Sequence, residues 1–487
     1  MNLSGNSERE KLDQINLISQ TTSILIILSI SILFIAVGIL YSKKYRGLDN
    51  YLLANRSIGV FSLTSSLIAS ALGAWILFGP ASAATWGGIG AVIGYALGTA
   101  FPLFILINLG GKFRKNFPKG KTFIEVIRAR YGNKLFKLIL FLSIFYMTIF
   151  LIAEVTAVAL LVNYIAGTSL WITAGLVVIT SLVYTLYGGL RASLFTDNIQ
   201  FIIFVLLLVI VFGNLFSLNS GNFNLEYIGQ NKPYLLSSNY LPNFTAGITF
   251  FIAVAATNLF HQGNWQRVYA AKNNEILKKS LIFSFFIIIP IVFLMGFSGL
   301  VAVSQNETVI PDLAFFSLIL KENGMILSII IIILAISLTV SSIDTLINAI
   351  SSLIIVDGNK IFKGKKDYLL FSKQILIVLS IITFLVASKG LSILYLFLLA
   401  DLLCCAAVLS IFYGFYNKKF SEKKAYTSIL FGLIIGLLFF PSTDFSKSIL
   451  VGVIISTDFF SEIISTNLLF ISFVFATFSP LIIWRIK

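Results

Sequence analysis

Charge is scarce in this chain. Of 487 residues only 11% are Asp, Glu, Lys or Arg, against about 25% in an ordinary soluble domain. Acids are the scarcer sign, 20 against 35 bases. There is one histidine, His261, which excludes a zinc or haem centre built on histidines. The only cysteines, Cys404 and Cys405, are adjacent. Neighbours on a helix point about 100° apart, so no disulfide between them is expected, and no metal-ligand spacing exists. No GxxxxGK[ST] loop or kinase signature occurs, and the glycine-rich stretches lie inside apolar runs rather than after a strand. ATP-driven work by this chain is therefore not expected. Nor is an enzyme: the longest connections between apolar runs, about 218–243 and 442–465, are too short for a soluble catalytic domain. The first 20 residues lack the basic-then-apolar order of a cleaved signal, so the first run is expected to stay.

Apolar residues make up 58% of the chain and gather in runs of the roughly 20 residues that span hydrocarbon. Thirteen segments are predicted, about 21–42, 60–80, 89–110, 134–163, 169–188, 195–217, 244–262, 277–303, 325–357, 367–388, 391–416, 424–441 and 466–485. Lipid leaves only helices or closed barrels as spanning structures, and these Ile/Leu/Phe/Val runs read as helices. The fold class expected is an all-α polytopic membrane protein. Lys and Arg alternate between its connections: 29 of the 35 fall on one side, and Arg9, Lys11, Lys232, Lys321, Lys389 and Lys447 on the other. Basic excess marks the cytoplasm, so the amino terminus is expected outside and the carboxy terminus inside. The +15 formal charge is then an orientation signal with some attraction to anionic lipid, and no nucleic-acid partner is expected.

Two segments are interrupted. Segment 2 reads SLTSSLIASALGAWILFGPASAATWGG, and segment 7 carries Asn258, His261, Gln262, Gly263 and Asn264. They stand five segments apart, and broken helices at corresponding positions point to an inverted-repeat secondary transporter. The expected organisation is a peripheral helix and linker (1–56), a first five-helix repeat (57–217), a second (244–416) and two peripheral helices (417–487). Gly90, Gly94 and Gly98 recur every fourth residue in segment 3, a close-packing face. KGKTFIEVIRARYGNK, before segment 4, reads as a short cytoplasmic surface helix.

Four acids lie within spans: Glu154, Asp197, Asp344 and Asp401. An ionised carboxylate there costs at least about 2.5–3.5 kcal/mol. In segment 9, Ser337, Ser341, Asp344 with Thr345, Asn348 and Ser352 share one helix face. Such a stripe suits a hard monovalent cation, or else forms an interhelical hydrogen-bond seam. Asp197 has a plain helix cap as its alternative. Glu154 and Asp401 have no basic partner in their own spans; each is protonated, lines a cavity, or bonds a neighbouring helix.

Four ordered stretches resemble the sodium:solute symporter family: DNYLLANRSIG (49–59), YTLYGGLRASLFTDNIQ (184–200) with its TDxxQ, NWQRVYAAKN (264–273) and VSSIDTL (340–346). The likeness covers about 49–420, and KTFIEVIRARYG with WQR is closest to urea-type members. It implies a LeuT-type 5+5 inverted repeat and a sodium site. That site would use the carbonyls of Ala69, Leu72 and Leu338 with the hydroxyls of Ser341 and Ser342. A second cation site of some members maps to Asp197, Ser341, Asp344 and Thr345, though Asp344 stands where relatives often carry a hydroxyl. Ala71 stands where sodium/proline members have an Asp, which disfavours proline. The solute pocket is expected between the breaks, with Trp75 for stacking, His261 and Gln262 for hydrogen bonds, and Glu154 or Asp401 as polar wall. The bland reading of His261 is a helix-break histidine bonded to a free carbonyl. With no Lys or Arg in that pocket, a neutral or zwitterionic solute is favoured over a dicarboxylate.

The reading is sodium-coupled symport of a small polar organic solute, urea-like, amino acid or similar. It would work by alternating access in a bacterial-type inner membrane. Sodium is the coupling ion and no other cofactor is expected; the oligomeric state is not legible. Alternatives are proton coupling on the same fold, a passive channel, or a membrane solute sensor. The sensor is disfavoured because no kinase-like domain follows Lys487.

Overall fold

The structure, a computed structural model, describes residues 15–45, 47–306, 309–320, 324–362, 367–443 and 466–485, with isolated positions between the last two. Arg9, Lys11, Lys321 and most of the 442–465 connection, all part of the charge and loop pattern above, lie outside the described residues. The described residues are helical, with two isolated bridges and no strand.

Fourteen helices carry the architecture: α1 (Gln20–Ser42), α2 (Val60–Ala71), α3 (Gly79–Asn116), α4 (Phe123–Tyr131), α5 (Asn133–Ala166), α6 (Leu170–Leu218), α7 (Leu241–Phe260), α8 (Gln262–Ala270), α9 (Asn274–Gln305), α10 (Gly324–Val356), α11 (Tyr368–Ala387), α12 (Ile393–Tyr416), α13 (Glu422–Phe439) and α14 (Leu468–Phe478). Ten helices among the described residues are long and apolar enough to cross a membrane, not thirteen. Two of them are too long to cross once. At 1.5 Å per residue, α3 and α6 would measure about 57 and 74 Å, against a hydrocarbon core of about 30 Å. Each breaks at a glycine in the left-handed region, Gly88 (φ +59°) and Gly189 (φ +58°), where a side chain would be strained. The chain turns there, so α6 supplies two segments, and the part of α3 before Gly88 joins α2 as one interrupted segment. The interrupted α2 and the 18-residue α13 are the other segments that the length-and-apolarity test leaves out.

The glycine face on α3 works as close packing requires. A Cβ on Gly90 would lie 1.7 Å from the carbonyl oxygen of Asn243, and one on Gly94 2.3 Å from that of Gly247. The backbones of α3 and α7 touch there, which no larger residue permits.

The basic connections meet in space at one end of the molecule. Lys121 pairs with Asp49 at 2.7 Å and Lys360 with Glu125 at 3.2 Å. Arg114 donates to the carbonyls of Val268 and Ala271, and Arg130 to those of Gly414, Asn417 and Phe420. Between them lies α4, opened by a capping box of Thr122 and Glu125. It is not a surface helix: Phe123, Ile124, Val126 and Ile127 are buried, and Phe123 stacks on Trp265 at 4.6 Å.

Candidate functional site

The two interruptions face a common cavity. Helix α2 stops at Ala71; Leu72 (φ −105°, ψ 87°) and Gly73 (φ −86°, ψ −173°) are extended before a short 3-10 turn at Ala74–Leu77. Serines and glycine give this stretch little apolar surface to hold it helical, and the break frees carbonyls of the last turn of α2. The Trp75 indole N–H takes one of them, donating to Ala71 at 3.2 Å. Helix α7 stops at His261 (φ −62°, ψ 108°) and α8 starts at Gln262.

The cavity has about 630 Å³ of free space, its mouth included, and is lined by Ser70, Ala71, Trp75, Gly79, Tyr95, Phe150, Glu154, Val254, Thr257, Asn258, His261, Ser342, Leu346, Phe397 and Asp401. Thus Trp75, Glu154, His261 and Asp401 share one space, and so does Ser342. Two carboxylates line it, and no Lys or Arg does. Neither acid has an ion-pair partner among the described residues. Glu154 accepts the Ala74 N–H at 2.8 Å, and Asp401 accepts the Thr257 hydroxyl at 2.7 Å. Aromatic faces fill the rest: Trp75 stacks on Tyr95 at 5.9 Å, and Phe150 meets Phe397 edge-on at 5.0 Å.

Gln262 does not line this space. Its carbonyl oxygen accepts the Phe123 N–H at 3.0 Å, and its amide donates toward Ser352 at 3.2 Å. It therefore ties α8 to α4 and α10. His261 does not bond a free carbonyl through Nδ1, which instead accepts the Gly263 N–H at 3.1 Å. That bond caps α8 and leaves Nε2 as the donor of a neutral ring.

The four residues mapped to a second cation site do not form one open cradle. Arg267, which the charge pattern had placed among loop cations, is fully buried. Its Nη2 donates to Asp197 Oδ2 and to Thr345 Oγ1, both at 2.9 Å, and its Nε to Ser66 Oγ at 2.8 Å. Asp197 also accepts from Ser66 at 2.5 Å and Ser341 at 2.6 Å. Asp344 accepts at short range from another set of donors, Tyr184 at 2.6 Å and Ser193 at 2.8 Å, and from Thr345 only at 3.4 Å. A guanidinium thus stands between Asp197 and Thr345, where the sequence reading put an ion.

The residues implied for sodium offer oxygen donors alone, the type that a hard cation takes. Ser342 Oγ is buried without a hydrogen-bond partner, in contrast to Ser341. Leu72 sits at the break, and Ala69 lies one turn before it. No cluster of three or more His, Cys, Asp or Glu fit for a transition metal occurs among the described residues.

The model of the sodium:solute symporter family matches residues 51–436. The chain belongs to the sodium:solute symporter family. A spermidine transporter of Candida albicans is 26% identical over 439 residues, covering 88% of this chain and 82% of its own. A sodium/myo-inositol cotransporter of Bos taurus is 22% identical over 465 residues, covering 83% and 67%. Among solved structures, a Na+-coupled sialic acid symporter in its substrate-bound outward-open state superposes with a TM-score of 0.71 at 18% identity, covering 95% of this chain and 96% of that one. A nucleobase–cation symporter with bromovinylhydantoin bound gives 0.57 at 14% identity, covering 89% and 94%. The symporter is thus a solute transporter of LeuT-type fold, not an enzyme. Sequence reasoning missed several residues at these sites, Tyr95, Thr257 and Arg267 among them. Tyr95 was hidden in the glycine stripe and Thr257 in an apolar run. Arg267 had one available signal: Asp197, an acid in a span, needed a cation.

Proposed function

We propose that the protein is a sodium-coupled symporter of a small organic cation, an amine without a carboxylate, embedded in a bacterial-type cytoplasmic membrane with its amino terminus outside. The observation that carries this is the cavity that pairs Glu154 and Asp401 with no basic residue. Each acid loses its solvation there, and a cation entering the cavity offsets that loss. Sequence alone favoured a neutral or zwitterionic solute, and the shared cavity moves that expectation to a cation. Aromatic faces beside Asp401 suit an ammonium, since a cation over such a ring gains about 0.5–2 kcal/mol. The spermidine transporter among the relatives supports the same class.

In this reading helices drawn from both repeats move about the two breaks, opening the cavity to one side at a time. One coupling cation accompanies each solute, because the Arg267 guanidinium already answers Asp197. Sodium is held by Ser342 and Ser341 with the carbonyls of Ala69, Leu72 and Leu338, and the solute by Asp401, Trp75 and His261.

Vesicles containing the purified protein test this. An inward sodium gradient is expected to drive accumulation of a diamine such as putrescine, with a sodium dependence of Hill coefficient near one. Spermidine should compete, and proline and urea should not. Uptake that follows a pH gradient and ignores sodium would shift the coupling to protons. Accumulation of urea without competition by amines would overturn the solute class.

A further inference from the structure

Gly73 lies at the centre of a narrow space. A Cβ built on it would stand 2.0 Å from Glu154 Oε1 and 2.6 Å from Ser342 Oγ, so any side chain there would fill the gap between the two oxygens. Glu154 is 2% exposed and Ser342 5%. The Glu154 carboxylate is met by backbone N–H groups of the Ala74–Trp75 turn, while the Ser342 hydroxyl has no partner. An unpartnered buried hydroxyl beside an unpaired buried carboxylate is costly on both counts. It persists where a third group completes the set.

We infer that Glu154 is a ligand of the coupling cation, closing the ion site at the α2 break with a carboxylate from α5. The ligand class is a small hard monovalent cation, for which carboxylate, hydroxyl and backbone carbonyl oxygens are the natural donors. The two acids of the cavity thereby divide their work: Glu154 meets the ion and Asp401 the ammonium of the solute. Each carboxylate is neutralised by one of two cations that travel together. This inference rests on sodium coupling but goes beyond it, since the ligands mapped from family resemblance carry no net charge.

Glu154→Gln separates charge from capping, because the Gln side-chain oxygen still accepts the Ala74 N–H. Purified protein in nanodiscs, without solute, is titrated with NaCl against choline chloride at constant ionic strength and followed by thermal unfolding. The half-saturating sodium concentration is expected to rise at least about tenfold in Glu154→Gln, with Glu154→Asp between it and the parent. Ser342→Ala should raise it too. A sodium response of Glu154→Gln equal to the parent's would leave the carboxylate as a helix cap and overturn the inference while sodium coupling stands. A parent protein with no sodium-specific response would remove the coupling reading and this inference with it. If Glu154→Gln does not fold, Glu154→Asp and Ser342→Ala decide, since unchanged titrations in both overturn it as well.

Discussion

Uptake of a diamine by the Asp401→Asn protein is expected to fall at least about thirtyfold in kcat/KM, with sodium binding in the absence of solute unchanged. Asn retains an oxygen for the Thr257 hydroxyl that Asp401 accepts at 2.7 Å, so the helix contact survives and only the charge is lost. Removing one partner of a buried, hydrogen-bonded charge pair costs about 2–5 kcal/mol, and each 1.4 kcal/mol is tenfold. Trp75 and Tyr95 recover little of this, because cation–π attraction adds to a counter-charge and does not replace one. Initial rates across a range of diamine concentrations would measure it. Wild-type kcat/KM in Asp401→Asn would place the ammonium elsewhere in the cavity and end the assignment.

The largest structural effect is expected at Arg267. Arg267→Met removes the donor to Asp197, Ser66 and Thr345 in one step and leaves Asp197 buried with two hydroxyls and no cation. Breaking a buried pair from one side costs about 3–5 kcal/mol. Thermal unfolding in detergent should show a marked loss of stability. Adding Asp197→Asn should restore much of it, because Asn keeps an oxygen for one of Ser341 and Ser66, can donate its amide to the other hydroxyl, and leaves no stranded charge. Two outcomes sink the argument: a single variant as stable as the parent, or a double variant no better than the single. The network also joins α2, α6, α8 and α10 through Ser66, Asp197, Arg267 and Thr345. A repacked network should therefore slow transport even in a double variant that folds well.

How much of this was legible beforehand depends on the range of the forces involved. Helices follow from local apolar runs, and the two breaks were visible as Ser, Gly and Asn where leucines would otherwise stand. The four intramembrane acids stood out for the same reason, since a charge in hydrocarbon is an anomaly in one dimension. Partners were not legible, because they are set by packing between helices far apart in sequence. Arg267 lies 70 residues from Asp197, at the edge of an apolar run and followed by Lys272, Lys278 and Lys279. Nothing local distinguishes it from a loop cation. Gln262 shows the reverse: its place beside a break suggested the cavity, but one residue of helix turns it toward Phe123. Fewer long apolar helices than segments are found because α6 turns at Gly189, segment 2 is interrupted after Ala71, and α13 is short and opens on charged residues.

The Ala74 N–H that Glu154 accepts has one more bearing, on what the transporter turns away. In folds of this kind the freed amides at the start of a half-helix are where an anionic group of the solute docks. Here that berth has a permanent resident, a side chain anchored on α5. An amino acid reaching the break would find its carboxylate's donor engaged and a like charge a few ångströms off. If the solute is an amine as proposed, a diamine and the amino acid that differs from it by one carboxyl group are expected to be told apart at this point. On the proposed function, amino acids are expected to be excluded because Glu154 already occupies the donor that their carboxylate would need.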